Sequence, residues 1–472
     1  MTCVRFFRLG LVGIYVLFLA GCASMAPHYE RPASPVPVQF RDKPEGDSDA
    51  APVASLAWQQ IFLDPRLQEV ITLALDNNRD LRVAMLNIEK ARAEYRIQRA
   101  DLFPSVNASV GQTAQRTVVT GVSQISRNAS VDVGLTSWEL DMFGRIRSLK
   151  DQALEIWLAT AEAQRSTRIS LVAEVASDWL TVAAYQQRLA LAQQTLQSQF
   201  KTLELTQRRH AVGVASGSDL ASVQGSVENA RADVANYGSA LAQARNALEL
   251  VVGTSLTDDL QPDSDSNTDA VMLAPLPANL SSQVLLERPD VLYAEHNLKA
   301  ANANIGAARA ALFPTIALTA STGSTSDALS SLFSAGTRTW SFTPTISVPI
   351  FQAGALQASL DSAKIANDIA VAEYEKAIQS AFSEVADALA VRARVEERID
   401  AQRAYVEATQ RSHTLAEARF RHGIASYLEA LDAQRSLYSA QQSLITLRLE
   451  EIANRVTIYK VLGGGAQAQA VP

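Results

Sequence analysis

Arg99-Ala100-Asp101-Leu102-Phe103-Pro104 returns 210 residues later as Arg309-Ala310-Ala311-Leu312-Phe313-Pro314. The same offset carries Asp80, Ala84, Asn87, Ala91 and Ala93 onto Asp290, Ala294, Asn297, Ala301 and Ala303, and Gly144, Gly213 and Gly253 onto Gly354, Gly423 and Gly463. The chain is a duplication, and both copies read as one string of elements. A helix ends before Leu-Phe-Pro, at 66–103 and 282–313, because proline drives the residue before it out of helical geometry. About forty residues rich in Gly, Ser and Thr follow. Then come 68 residues without a glycine or proline, 145–212 and 355–422. An unbroken helix of that length reaches roughly 100 Å at 1.5 Å per residue. A glycine-centred turn leads into a returning helix, 218–252 and 424–462.

The long spans are amphipathic. Val172, Val175, Trp179 and Val182 step by 3, 4 and 3, the spacing of one helix face. Phe382, Val385 and Leu389 repeat the first three positions in the second copy. Dense alanine lets helices approach closely, and Glu155, Arg165, Glu174, Lys376, Glu384 and Asp387 keep the spans out of lipid. The intervening segments alternate with period two. Trp340, Phe342, Ile346, Val348 and Ile350 interleave with Ser341, Thr343, Thr345 and Ser347; Ile316, Leu318 and Ala320, then Val106, Ala108 and Val110, then Val131, Val133 and Leu135 do the same. Two strands per copy are expected, each of about 9–11 residues, enough to cross a bilayer when tilted. Pro344 and Pro349 are awkward inside the last one.

The N-terminus reads as a processing signal. Arg5 and Arg8 precede the apolar run Leu9 to Leu19, and Leu19-Ala20-Gly21-Cys22 resembles a bacterial lipobox. That resemblance implies cleavage before Cys22, a diacylglycerol on its thiol and an N-acyl (palmitate) chain; Ala23 resembles the sorting residue of lipoproteins sent to the outer membrane. Cys3 leaves with the signal, so no disulfide can form within the mature chain. Loss of Arg5 and Arg8 takes the formal net charge from −7 to −9, which argues against nucleic acid as a partner. No later stretch is apolar for 18 residues, so a membrane span would have to be β.

Four strands cannot close a barrel, and an open sheet edge cannot face lipid. Several chains must therefore pool their strands. Two would give eight, a barrel filled by its own side chains. Three would give twelve, wide enough to hold water, with the long helices continuing the barrel as a tube.

Asn302-Ala303-Asn304-Ile305-Gly306-Ala307-Ala308-Arg309, Tyr374-Glu375-Lys376-Ala377, Leu431-Asp432-Ala433-Gln434-Arg435-Ser436 and Leu462-Gly463-Gly464-Gly465, with the lipobox and the Leu-Phe-Pro pair, resemble the outer membrane factors. This is the TolC family, in its OprM-like lipoprotein branch. The resemblance covers nearly the whole mature chain. It implies a mixed α and β fold: a homotrimeric twelve-stranded transmembrane β-barrel, four strands per chain, continued by a periplasmic α-helical coiled-coil barrel. It also implies a place in the outer membrane as the exit channel of a tripartite efflux pump for antibiotics and other toxic small molecules, with a periplasmic adaptor and an RND-type inner-membrane pump as partners. The expected organisation is a signal peptide at 1–21 and a lipid-anchored extension at 22–65. Repeat one follows at 66–253 (strands about 104–143, long helix 145–212), then a linker at 254–284. Repeat two runs over 285–463 (strands about 314–351, long helix 355–422), with a tail at 464–472.

No catalytic motif appears, and no cofactor beyond the lipid is expected. His28, His210, His296, His413 and His422 show no metal-binding spacing; His296 reads as a packed, hydrogen-bonded side chain. The turns Val212-Gly213-Val214-Ala215-Ser216 and His422-Gly423-Ile424-Ala425-Ser426 read as a left-handed glycine C-cap followed by a serine N-cap. The resemblance adds that these tips dock the adaptor. Leu428 and Asp432, four apart, share a helix face, where the repeat-one counterparts are Ser218 and Ser222. In a symmetric trimer each would form a ring: the leucines can exclude water, the carboxylates repel one another and attract cations. The resemblance implies that Leu428, Asp432 and Arg435 form a periplasmic gate. The plainer alternative is a solvated Asp432 paired with Arg435. Two other functions fit parts of the pattern, a protein-secretion duct and a lipidated periplasmic coiled-coil adaptor; lipid-facing strands speak against the second.

Overall fold

The computed structural model describes residues 24–41, 56–120, 122–263, 271 and 280–465. Cys22, the signal segment and the end of the tail lie outside them. Helices α1 (Pro65–Asn77) and α2 (Arg79–Ala100) lead to strands β1 (Val106–Val119) and β2 (Val122–Leu140). Then come α3 (Arg145–Ala211) and α4 (Gly217–Val252). The second copy repeats the order with α5 (Pro289–Ala310), β3 (Thr315–Ser326), β4 (Arg338–Ser347), α6 (Ala355–Arg421) and α7 (Tyr427–Val461). Both long helices have 67 residues. Among the described residues no helix is long and apolar enough to cross a membrane.

Neither of the helices expected before Leu-Phe-Pro is continuous. Asn78 separates α1 from α2: its Oδ1 accepts from the Leu81 amide at 2.8 Å, and its Nδ2 donates to the Val251 carbonyl at 2.8 Å. In the second copy a 3-10 turn, Ser282–Glu287, precedes α5, which opens at Pro289, where a missing N–H costs nothing. Arg288 takes the place of Asn78, and its Nη1 donates to the Val461 carbonyl at 2.8 Å. Val461 lies 210 residues beyond Val251, so duplication preserved the link and changed its chemistry. Buried Arg288 also engages Asp290 and Glu384.

The chain divides into two compact units. One comprises 34–86, 162–292 and 376–472. Its core contains Trp179, Tyr459, Phe62, Leu67, Ile71 and Leu180, all fully buried, and the Val172 to Val182 stripe is buried throughout. Trp179 Nε1 donates to the Leu260 carbonyl at 3.1 Å, so the largest apolar side chain leaves no orphan donor. Phe382 stacks on Phe40 with ring centroids 4.7 Å apart.

The other unit comprises 24–33, 87–161 and 293–375 and holds the sheet. Its strands run antiparallel in the order β1-β2-β3-β4, which leaves one edge of β1 and one of β4 unpaired. They have 14, 19, 12 and 10 residues, mostly longer than the pattern predicted. The register aligns Val106, Leu135, Ala320 and Phe342, then Ala108, Val133, Thr322 and Trp340, on one face. Asn107, Gly134, Ser321 and Ser341 line the other. A bulge between Leu135 and Trp138 places Trp138 opposite Leu318 and Leu140 opposite Ile316, returning both to the apolar face. Two glycines of the polar face sit tight against the neighbouring strand. A Cβ on Gly134 would lie 2.2 Å from the Ala320 carbonyl oxygen, and one on Gly323 2.1 Å from that of Val131. Pro344 pairs with Leu318 on the edge strand, where a missing donor is tolerated; Pro349 falls beyond the strand.

Candidate functional site

The two turns are built alike. Gly213 and Gly423 adopt φ of 79° and 73°. The Gly213 amide donates to the His210 carbonyl and that of Val214 to Arg209; the Gly423 and Ile424 amides reach Phe420 and Arg419 in the same way. These are Schellman-type helix ends, which satisfy the last carbonyls and need a left-handed residue. The serines differ. Ser216 accepts from the Asp219 amide at 3.0 Å while Asp219 accepts from the Ser216 amide at 3.1 Å, a reciprocal capping box. Ser426 makes no side-chain cap, and the residue matching Asp219, Glu429, instead meets Arg419 at 2.5 Å. Val212, Val214 and Ile424 are each at least 70% exposed, while Ala215 and Ala425 are half-buried.

The two hairpins lock together just behind the tips. The Arg209 guanidinium sits 4.9 Å from the Phe420 ring centroid and donates to the carbonyls of Phe420 and Arg421, both at 3.2 Å. It thereby caps the C-terminus of α6, where positive charge is favoured. Tyr427 packs with Val223 and Leu431. Its hydroxyl donates to Gln199 Oε1 at 3.3 Å, and Gln199 Nε2 donates to Gln434 Oε1 at 2.6 Å. Burial pushes the Tyr427 hydroxyl up.

Leu428, Asp432 and Arg435 lie along an adjacent stripe of α7, all exposed, while Tyr427 and Leu431 face inward. The expected face-sharing of Leu428 and Asp432 is present. The alternative pairing of Asp432 with Arg435 is not: among the described residues neither makes an ion pair. A carboxylate and a guanidinium three residues apart are held out to solvent, available to a neighbouring surface. His296 is hydrogen-bonded, its Nδ1 2.7 Å from Glu155 Oε2.

A second constellation carries no motif in the sequence. Glu295 is buried beneath the segment 24–33 and accepts from Arg31 Nη2 at 2.7 Å, Arg31 Nε at 3.2 Å and Tyr29 Oη at 3.1 Å, with Lys299 Nζ 3.1 Å away. Burial pushes this carboxyl up, but the bonds from Arg31 and Lys299 outweigh it and hold it below the usual carboxylate range. Further along α5, Asn302 donates to the Pro27 carbonyl and Arg309 to that of Met25. Gly306 leaves no room for a Cβ against Ala26. Glu295, Lys299, Asn302, Gly306 and Arg309 step by 4, 3, 4 and 3, one stripe of the helix. Their repeat-one counterparts, Met85, Glu89, Arg92, Arg96 and Arg99, are all exposed. The mismatch between copies was the one available clue.

Against known proteins, the outer membrane efflux protein family model matches residues 70–254 and again 280–464. The chain belongs to that family. This outer membrane efflux protein is 48% identical over 455 residues to the toluene efflux pump outer membrane protein TtgC of Pseudomonas putida (95% of this chain, 94% of the other). It is 41% identical over 452 residues to the cation efflux system protein CusC of Escherichia coli O157:H7 (96% and 97%). The open-state crystal structure of the MtrE outer membrane channel of Neisseria gonorrhoeae superposes with a TM-score of 0.86 at 37% identity (95% and 100%). Like these, the efflux protein is an outer membrane channel reaching into the periplasm, the exit component of an efflux system. Its fold is that of the trimeric outer membrane channels, mixed helix and strand built on an internal repeat.

Proposed function

We propose that three copies form the passive exit duct of a tripartite pump. Each copy docks through its two tips to a periplasmic adaptor and accepts antibiotics and other toxic small molecules from an RND-type inner-membrane pump. The observation that carries the reading is the pairing of a four-stranded sheet, apolar on one face and open at both edges, with two 67-residue helices. Such a sheet is stable in lipid only when neighbouring copies close it, and such helices are long enough to cross a periplasm. The duct conducts and does not catalyse. The relatives' names span toluene and cations, which fits a channel that leaves substrate choice to the pump.

At the periplasmic end, Leu428 and Asp432 form two stacked rings with Arg435 a turn further along. The rings exist only in the second copy, since Ser218 and Ser222 replace them in the first, so the gate is three-fold where the tube is quasi-six-fold. The exposed Val212, Val214 and Ile424, set on rigid glycine caps beside His422, Ala215, Ala425, Ser216 and Ser426, offer the adaptor an apolar contact rimmed by polar groups. Cys22 carries the diacylglycerol and palmitate. The segment 24–31, fixed along α5 as far as Arg309, leads the lipid toward the foot of β3, which starts at Thr315. In planar bilayers, Leu428→Ala and Asp432→Ala are expected to raise single-channel conductance, and in cells to increase leakage of large antibiotics. Unchanged conductance and unchanged leakage in both variants would remove the gate assignment.

A further inference from the structure

The strands separate their charges completely. Their arginines are Arg116, Arg127 and Arg338, they contain no lysine, and their acidic residues are Asp132 and Glu139. By register, Arg116 stands opposite Ile125, Arg127 opposite Ala114, and Arg338 opposite Ser324, all on the face that carries Val106, Leu135 and Phe342. Asp132 stands opposite Ser109 and Gly323, and Glu139 opposite Ala317, on the polar face. Arg116 Nε bonds Ser123 Oγ at 2.5 Å, which fixes its side chain on the apolar side. All three guanidinium groups are exposed, and among the described residues none pairs with a carboxylate.

Their height is equally specific. The helices continue from one end of the sheet, so that end faces the periplasm and the hairpin loops face outward. Arg338 is the first residue of β4; Arg116 and Arg127 lie three and five residues from the outer ends of β1 and β2. Trp340, 79% exposed, follows Arg338 on the same face, the amphipathic ring expected where hydrocarbon meets headgroups. An arginine facing lipid is tolerated near the interface and not at mid-depth. Along the register Arg338 stands level with Val131 and Val110, four residues inward of Arg127 and six inward of Arg116, so three cations per chain, with no anion of their own, climb outward from that position.

We infer that Arg116, Arg127 and Arg338 form a phosphate-binding belt around the outer rim of the barrel, and that its ligand is the phosphorylated glycolipid of the outer leaflet, lipopolysaccharide. Guanidinium forks match phosphate oxygens two at a time, and the leaflet at this height presents lipid A phosphates. The belt rests on the outer-membrane barrel reading but adds a ligand and residues to it. It would clamp the barrel laterally and leave the lumen untouched.

The test uses the full-length lipidated trimer, stripped of lipid in mild detergent and titrated with lipopolysaccharide by native mass spectrometry. The triple variant Arg116→Gln, Arg127→Gln, Arg338→Gln is expected to bind roughly a hundredfold more weakly, and each single variant about fivefold, on the scale of basic groups near an anionic lipid surface. Enzymatically dephosphorylated lipopolysaccharide should bind wild-type protein as weakly as intact glycolipid binds the triple variant. Equal binding by wild type and triple variant, or by phosphorylated and dephosphorylated glycolipid, would overturn the belt. Displacement by an equal concentration of phosphatidylglycerol would overturn lipopolysaccharide as its ligand. Outer-membrane fractionation and trimer migration are checked first. A wild-type protein that fails them rejects the barrel itself; a triple variant that fails them is replaced by the three single variants, whose fivefold losses then carry the test.

Discussion

At Glu295, one carboxylate is shared between the N-terminal segment and its own helix, with Arg31 and Tyr29 on one side and Lys299 on the other. Its folded pKa lies below the unfolded value, so its contribution is fully present above the ordinary carboxylate pKa and is lost as pH falls through the lowered one. Between about pH 5 and pH 8 the clamp is therefore constant. Glu295→Gln should cost about 2 kcal/mol, the scale of a charged hydrogen bond lost beside partly exposed partners. The expected outcome is faster chymotryptic cleavage after Tyr29 at neutral pH than in the wild-type protein. Equal cleavage rates at neutral pH would mean that the segment is held by its backbone contacts at Asn302 and Arg309 alone.

Among the elements, the helix tips show how geometry and contact can be told apart. A Cβ on Gly213 or Gly423 would meet nothing within 4 Å, so the penalty for a side chain there comes from positive φ. Gly213→Val and Gly423→Val should each destabilise the turn by about 1–2 kcal/mol. The trimer should remain intact on native gels while drug susceptibility in cells rises to that of a deletion strain. Loss of the trimer would assign the turns a structural role only. The long helices were legible because glycine and proline are missing from 145–212, and their ends fell within a residue of the turn. The strand faces were legible from the alternation of Trp340 and Phe342 with Ser341 and Thr343. The strand lengths were not, because polar residues interrupt the alternation of β1 beyond Gly111, as at Gln112, Thr113 and Gln115. Nor was the break at Asn78 visible, since its cause is a carbonyl at Val251, 173 residues away. The Glu295 clamp escaped for the same reason: Arg31 lies 264 residues from it, and only its mismatch with Met85 marked the site. Of the gate, the shared face of Leu428 and Asp432 followed from spacing, whereas their freedom from Arg435 required the structure.

For the whole molecule, the contact from Arg209 to the ends of Phe420 and Arg421 carries a constraint on descent as well as on stability. It sets the tip of one hairpin level with the tip of the other. A chain of this kind cannot change the reach of one half alone. Removing one heptad from both α3 and α4 would withdraw the first tip by about 10 Å, strand Arg209 away from its carbonyls and present the adaptor with an uneven rim. Removing the matching heptads from α6 and α7 as well would restore a level rim on a shorter tube. The expected readout is loss of adaptor crosslinking in the first variant and its recovery in the second. Failure of the doubly shortened chain to recover would mean that the tips are not read together. An insertion or deletion that keeps the rim level must therefore change both hairpins together, a constraint imposed by one arginine at the tip.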